Sequence, residues 1–211
     1  MRSIINIMGC CGLWFPRLKV QPAWSTIYQQ APNKSHVLND LEVNDAGDIW
    51  LYGVADDTLG YPTGVVVKFS SFGFVEEWSH EFLDMGQASD IDIDAYNNVY
   101  VGTTDYDTIG STSLNFMVRK IDDDGVLQWS AIRTGVGPNS YDRTSALCVD
   151  GLGNTIVTGC SAQPGWTNAW LTIKYDPNGN EVWAAILRHL RSGLEPWAGS
   201  ISPRTPPTIF T

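Results

Sequence analysis

From Asp90 to Asp94 the chain reads Asp-Ile-Asp-Ile-Asp, with polar and apolar positions in strict alternation. A period of two puts Ile91 and Ile93 on one face of a strand and Asp90 and Asp92 on the other, which predicts a strand buried on one side. The pattern recurs. "DLEVNDAGDIWLYG" from Asp40, "DIDIDAYNNVYVGT" from Asp90 and "ALCVDGLGNTIVTG" from Ala146 align position for position. Each is followed by a second block: "VVVKFSSFGFVEEW", "MVRKIDDDGVLQW" and "LTIKYDPNGNEVW". Lys68, Lys120 and Lys174 then match, as do Gly73, Gly125 and Gly179, and Trp78, Trp129 and Trp183. Regular self-similarity over some 50 residues is the mark of a repeat architecture.

The register also decides what the aspartates are. Asn44, Asp94 and Asp150 share one position and open a turn that contains Gly47, Asn97 or Gly153. Asn and Asp start turns by bonding the backbone two residues on, and Gly or Asn tolerates positive φ there. A helix-flanked calcium loop beginning at Asp90 would need Gly at its sixth position and Glu at its twelfth. Those positions hold Ala95 and Val101, which argues against such a loop and leaves only a looser surface cation site open.

Each repeat holds four short β-like runs, in the second "SDIDI", "NVYVGT", "NFMVRKI" and "VLQWSAI". Tight Asx-Gly turns join the first run to the second and the third to the fourth. Longer segments such as "TDYDTIGSTSL" join the second to the third. Four antiparallel strands per repeat predict an all-β, β-propeller-like fold of about three four-stranded blades. The blades span 36–86, 87–140 and 141–187. Residues 1–35 form an N-terminal segment in which Trp24 marks a remnant blade strand, and 188–211 read as an irregular C-terminal tail. Closed propellers typically have at least about four blades, so the expectation is an incomplete or degenerate ring. In a meander both tight turns fall at one end and both long loops at the other. The long-loop end is the expected ligand face, because variable loops on a rigid scaffold carry binding.

Composition sharpens this picture. The 211 residues include nine Trp, eight Tyr, seven Phe and 20 Gly, a supply that suits strands and turns. Formal net charge is −10, and the termini are basic, with Arg2, Arg17 and Lys19 at one end and Arg188, Arg191 and Arg204 at the other. The body is therefore more acidic than the whole and repels phosphate backbones, which argues against nucleic-acid binding. There is no apolar run of about 18 residues, so no transmembrane segment is expected. "MRSIINIMGCCGLWF" carries a weak export-like pattern, with Cys10 placed as in a lipidation box. Cys10, Cys11, Cys148 and Cys160 form no CxxC pair, and the last two are expected as free thiols buried in a sheet.

"ALCVDGLGNTIVTGCS" followed by "WLTIKYDPNGNEVWAA" resembles the SBBP beta-propeller repeat of bacterial and archaeal extracellular proteins. That pattern is an apolar strand, D-x-x-G-N, an apolar strand ending T-G, then K-Y-D-x-x-G and Trp. The second repeat departs from it at Asn97, and the first at Asn44, Asp48 and Ser70. "YDPNGNEVW" is also similar to the tryptophan-docking motif of pyrroloquinoline-quinone enzymes, distant propeller relatives. The resemblance implies a cell-surface or secreted scaffold, with Trp78, Trp129 and Trp183 locking one blade to the next.

No nucleophile elbow, zinc-protease helix, phosphate loop or dinucleotide fingerprint occurs. No catalytic, cofactor or metal residue is assigned, and no cofactor is expected. The candidate ligand face comprises Asp56, Asp57 and Tyr61, then Asp105, Tyr106 and Asp107, then Tyr141 and Arg143, and finally Trp166 and Asn168. Aromatics beside amides and carboxylates suit sugars or protein hot spots. The reading is a non-catalytic extracellular scaffold that binds protein or glycan. The alternatives are a lectin-like propeller and a fragment of a larger propeller enzyme whose remaining blades lie outside this chain.

Overall fold

The computed structural model describes residues 36–56, 62–72, 75–82, 85–106, 114–134, 141–163, 167–187 and 200–203. The N-terminal segment, with Cys10 and Trp24, lies outside them. The fold is all-β, with three antiparallel sheets each built on four consecutive strands in simple meander order. The first sheet comprises β1 (His36–Val43), β2 (Ile49–Asp56), β3 (Pro62–Phe69) and β4 (Glu76–Phe82). The second comprises β5 (Met85–Ile93), β6 (Val99–Tyr106), β7 (Leu114–Ile121) and β8 (Leu127–Arg133). The third comprises β9 (Arg143–Val149), β10 (Thr155–Gln163), β11 (Thr167–Tyr175) and β12 (Glu181–Leu187). β13 (Ser200–Pro203) adds a fifth strand beside β12. The tail is thus not irregular throughout. An edge strand leaves a row of unpaired backbone groups, and β13 takes up those of β12. No helix among the described residues is long and apolar enough to cross a membrane.

Five turns share one construction. Asn44, Asp94, Asp122, Asp150 and Asp176 each accept an amide from three residues on, as with Gly153 N–H to Asp150 O at 2.8 Å. The carboxylate of Asp94 takes the Tyr96 and Asn98 amides at 2.9 and 3.0 Å, and Asp150 takes those of Leu152 and Asn154. The aspartates of the D-x-x-G-N pattern are therefore consumed in closing turns.

Each sheet has two apolar faces. Trp50, Tyr52, Val66 and Phe82 on the far face of the first sheet pack against Ile91, Val99, Val101 and Ile121 of the second. Tyr100, Phe116, Val118 and Ala131 on the far face of the second pack against Leu147, Val157, Leu171 and Ile173 of the third. Both interfaces are closed by the same lock. The Trp78 indole N–H donates to Asp123 O across 2.8 Å, and the Trp129 N–H donates to Pro177 O across 2.9 Å. The rings rest on the turn glycines. A Cβ on Gly125 would lie 2.9 Å from the Trp78 ring, and one on Gly179 would lie 2.7 Å from that of Trp129. Both glycines also have φ near +80°, so two independent constraints exclude a side chain there. The indoles are half-buried.

Cys148 and Cys160 are free and lie in strands, but they are not buried as the sequence suggests. Both fall on the far face of the third sheet, where Cys148 is exposed and Cys160 half-buried.

Candidate functional site

The strand ends opposite the tight turns carry Asp56, Tyr106 and Asn168 of the candidate ligand face. Asp56 closes β2, half-buried and paired with Pro62. Tyr106 closes β6, exposed and paired with Leu114. Leu114 also forms a parallel bridge with Tyr141, which is itself exposed. One strand end therefore has Tyr106 on one side and Tyr141 on the other. Asn168 is exposed near the start of β11. Asp57, Tyr61, Asp107 and Trp166 lie outside the described residues.

Asp142 explains how Tyr141 and Arg143 are presented. Its amide donates to Leu114 O at 3.1 Å, and its carboxylate accepts the Ala162 amide at 2.9 Å. Buried itself, Asp142 pins the chain between the second and third sheets, while its two neighbours in sequence stand exposed. By sequence Asp142 belongs with Tyr141 and Arg143 to the polar segment between the second and third repeats, and its separate role comes from a partner 20 residues away.

Asp105 has a different fate from its loop neighbours. It lies in β6, almost fully buried, and forms an ion pair with Arg119 of β7. Thr103 donates to it at 2.5 Å, and Arg119 donates to Thr103 at 2.8 Å. The Arg119 guanidinium also lies over the Phe82 ring, 4.6 Å from its centroid. A charged pair with this many partners is held inside the sheet and is withdrawn from the exposed end.

A second concentration of charge lies along the first strands of the sheets. The Asp40 carboxylate accepts the Ile91 amide at 3.1 Å. Asp90 and Asp92 accept the Leu147 and Val149 amides, each at 2.7 Å. These carboxylates take up edge amides that no strand of the following sheet pairs, and so tie first strand to first strand. Burial, a hydrogen bond with Asp40 and the nearby charges of Asp40 and Asp92 push the Asp90 carboxyl up to about 6. Burial, with Asp92, Asp40 and Asp90 alongside, raises Glu42. The polar face of the opening Asp-Ile-Asp-Ile-Asp stretch is thus a set of intersheet clasps. Among the described residues, no group of three His, Cys, Asp or Glu side chains is arranged to hold a metal ion.

No family model matches the chain, and no curated protein matches it.

Proposed function

We propose that the three sheets are blades of a β-propeller of the SBBP repeat type, and that the chain is a non-catalytic extracellular or cell-surface scaffold. One observation carries this reading. The same interface is built twice, with Trp78 on Gly125 and Trp129 on Gly179, each indole donating to the turn it rests on. Stacking by a repeated lock makes a rigid body and frees the opposite ends for recognition. The carboxylates support the same reading, since those of Asp90, Asp92, Asp94, Asp142 and Asp150 bond backbone amides. The test is a panel of glycosidase, esterase and quinone-oxidase substrates. No turnover is expected, and turnover lost on Asp90→Asn or Asp92→Asn would overturn the reading.

A glycan-binding role is favoured by the placement of Tyr106 and Tyr141 on either side of Leu114, both exposed. Two aromatic faces at one end suit sugar rings, with Arg143 beside them for hydroxyl groups. A glycan array should then show binding that Tyr106→Ala and Tyr141→Ala each reduce. An empty array, or binding indifferent to both, would remove this reading and leave protein recognition.

A further inference from the structure

The far face of the third sheet uses the positions that bury the two intersheet interfaces. Ile156 stands where Trp50 and Tyr100 stand, Thr172 where Val66 and Val118 stand, and Trp183 where Trp78 and Trp129 stand. Trp170 occupies the position of Phe116. Phe116 is 1% exposed under the third sheet, whereas Trp170 is 69% exposed. Leu187 and Cys148, on the same face, are exposed too. A face equivalent to those that form the two intersheet interfaces therefore leaves Trp170, Leu187 and Cys148 exposed.

We propose that this face is where two copies of the chain meet, far face to far face, about a two-fold axis. Three observations choose this occupant. First, the first strands of the other sheets offer Asp40 and Glu42, or Asp90 and Asp92, toward the next sheet, and Asp40, Asp90 and Asp92 accept its edge amides. The third sheet has Ala146 and Cys148 at those places. It cannot clasp a following sheet in the same way, but it can lie flat against an identical face.

Second, the chain carries a net charge of −10, so most of its surfaces repel a second copy. The far face lacks the ladder acids, and its central cation, Lys174, is held by Asp150 at 2.9 Å. Third, a head-to-tail contact would need the opposite face of the stack. There Ile49, Leu51, Val65, Val67 and Phe69 are already buried. Like-to-like pairing does not need that second face, and it closes at two copies. Two β-sheets pack this way at about 10 Å separation, with Trp170 as the central aromatic anchor.

Sedimentation velocity on the full chain over a wide concentration range tests this. A dimer is expected. Trp170→Glu and Leu187→Lys should each raise its dissociation constant at least about thirtyfold while thermal melts show the fold retained. Phe72→Glu, at an exposed apolar position on the tight-turn end, should leave the dimer intact. A wild-type monomer at every concentration would overturn the proposal. So would species that grow past two copies, a dimer unmoved by both far-face substitutions, or one equally weakened by Phe72→Glu.

Discussion

Gly125 and Gly151 are both turn glycines, yet they answer to different physics. Gly125 has φ of 83° and lies under the Trp78 ring, whereas Gly151 has open space around its Cα. A left-handed conformation costs a side-chain-bearing residue about 1–2 kcal/mol, and displacing the indole adds to that. Gly125→Ala is expected to lose at least about 2 kcal/mol in urea unfolding, and Gly151→Ala to stay within about 0.5 kcal/mol. Equal costs would show that the ring does not rest on the turn. Asn97, at φ of 63°, holds the same kind of position without glycine. Its side chain accepts a hydrogen bond from Asn44 at 3.1 Å, which ties it to the turn of the first sheet. The departure from the repeat pattern at Asn97 coincides with that at Asn44, and the two residues meet in space.

Asp90 sets an acid-range pH dependence. Its folded carboxyl titrates near 6 rather than near its ordinary 3.8, because burial and the neighbouring Asp40 and Asp92 disfavour its charge. Between those values the folded state holds a proton that the unfolded state has lost. Stability therefore falls as pH rises from about 4 to about 6. Asp48 and Asp176 act oppositely. Hydrogen bonds hold Asp48 below its usual range, chiefly the Ser71 amide, while those from Asn180 and Asn178 outweigh the burial of Asp176. Their contribution is lost as pH drops below about 4. Melting temperature should peak near pH 4–5, and Asp90→Asn should flatten the decline above the peak. A melting temperature rising steadily from pH 4 to 7 would contradict the Asp40–Asp90 contact.

At the scale of elements, β8 and β12 carry equivalent tryptophans with unequal surroundings. Trp129 donates to Pro177 O and lies near Tyr100 and Tyr175 at ring distances of 6.1 and 6.4 Å. Trp183 falls on the far face of the third sheet, where no glycine turn of a following described sheet lies under the ring. A fully buried Trp→Ala change costs about 3–5 kcal/mol. Half-burial brings Trp129→Ala to about 2–3 kcal/mol, and Trp183→Ala should cost about 1 kcal/mol. Denaturant midpoints would show the difference, and equal midpoints would mean that the lock contributes nothing. The pair Arg119–Asp105 joins β7 to β6 and, through the Phe82 ring, the second sheet to the first. Arg119→Met strands a buried carboxylate and should cost about 3–5 kcal/mol. The double variant Arg119→Met/Asp105→Leu should recover most of it, since an apolar pair of similar size needs no counter-charge.

At the scale of the whole molecule, much was written in the sequence. Alternation of Ile and Asp placed the strands, and Asx-Gly turns placed their reversals. The recurrence of Lys, Gly and Trp divided the described body into three sheets, each built on a four-stranded meander. These signals are local, so they are legible without knowing what packs on what. Tertiary structure alone decided what each polar group does. Asp105 and Asp107 look alike as loop acids, but Asp105 forms an ion pair with Arg119 and is buried in β6. Asp142 gains its role from Ala162 on the neighbouring strand, and Asp90 from Leu147 across the gap between the second and third sheets. Cys148 and Trp170 alternate as buried residues should, yet they are exposed, because a period of two names a face without naming what covers it. Covering depends on partners distant in the chain or outside it, and no local pattern encodes those.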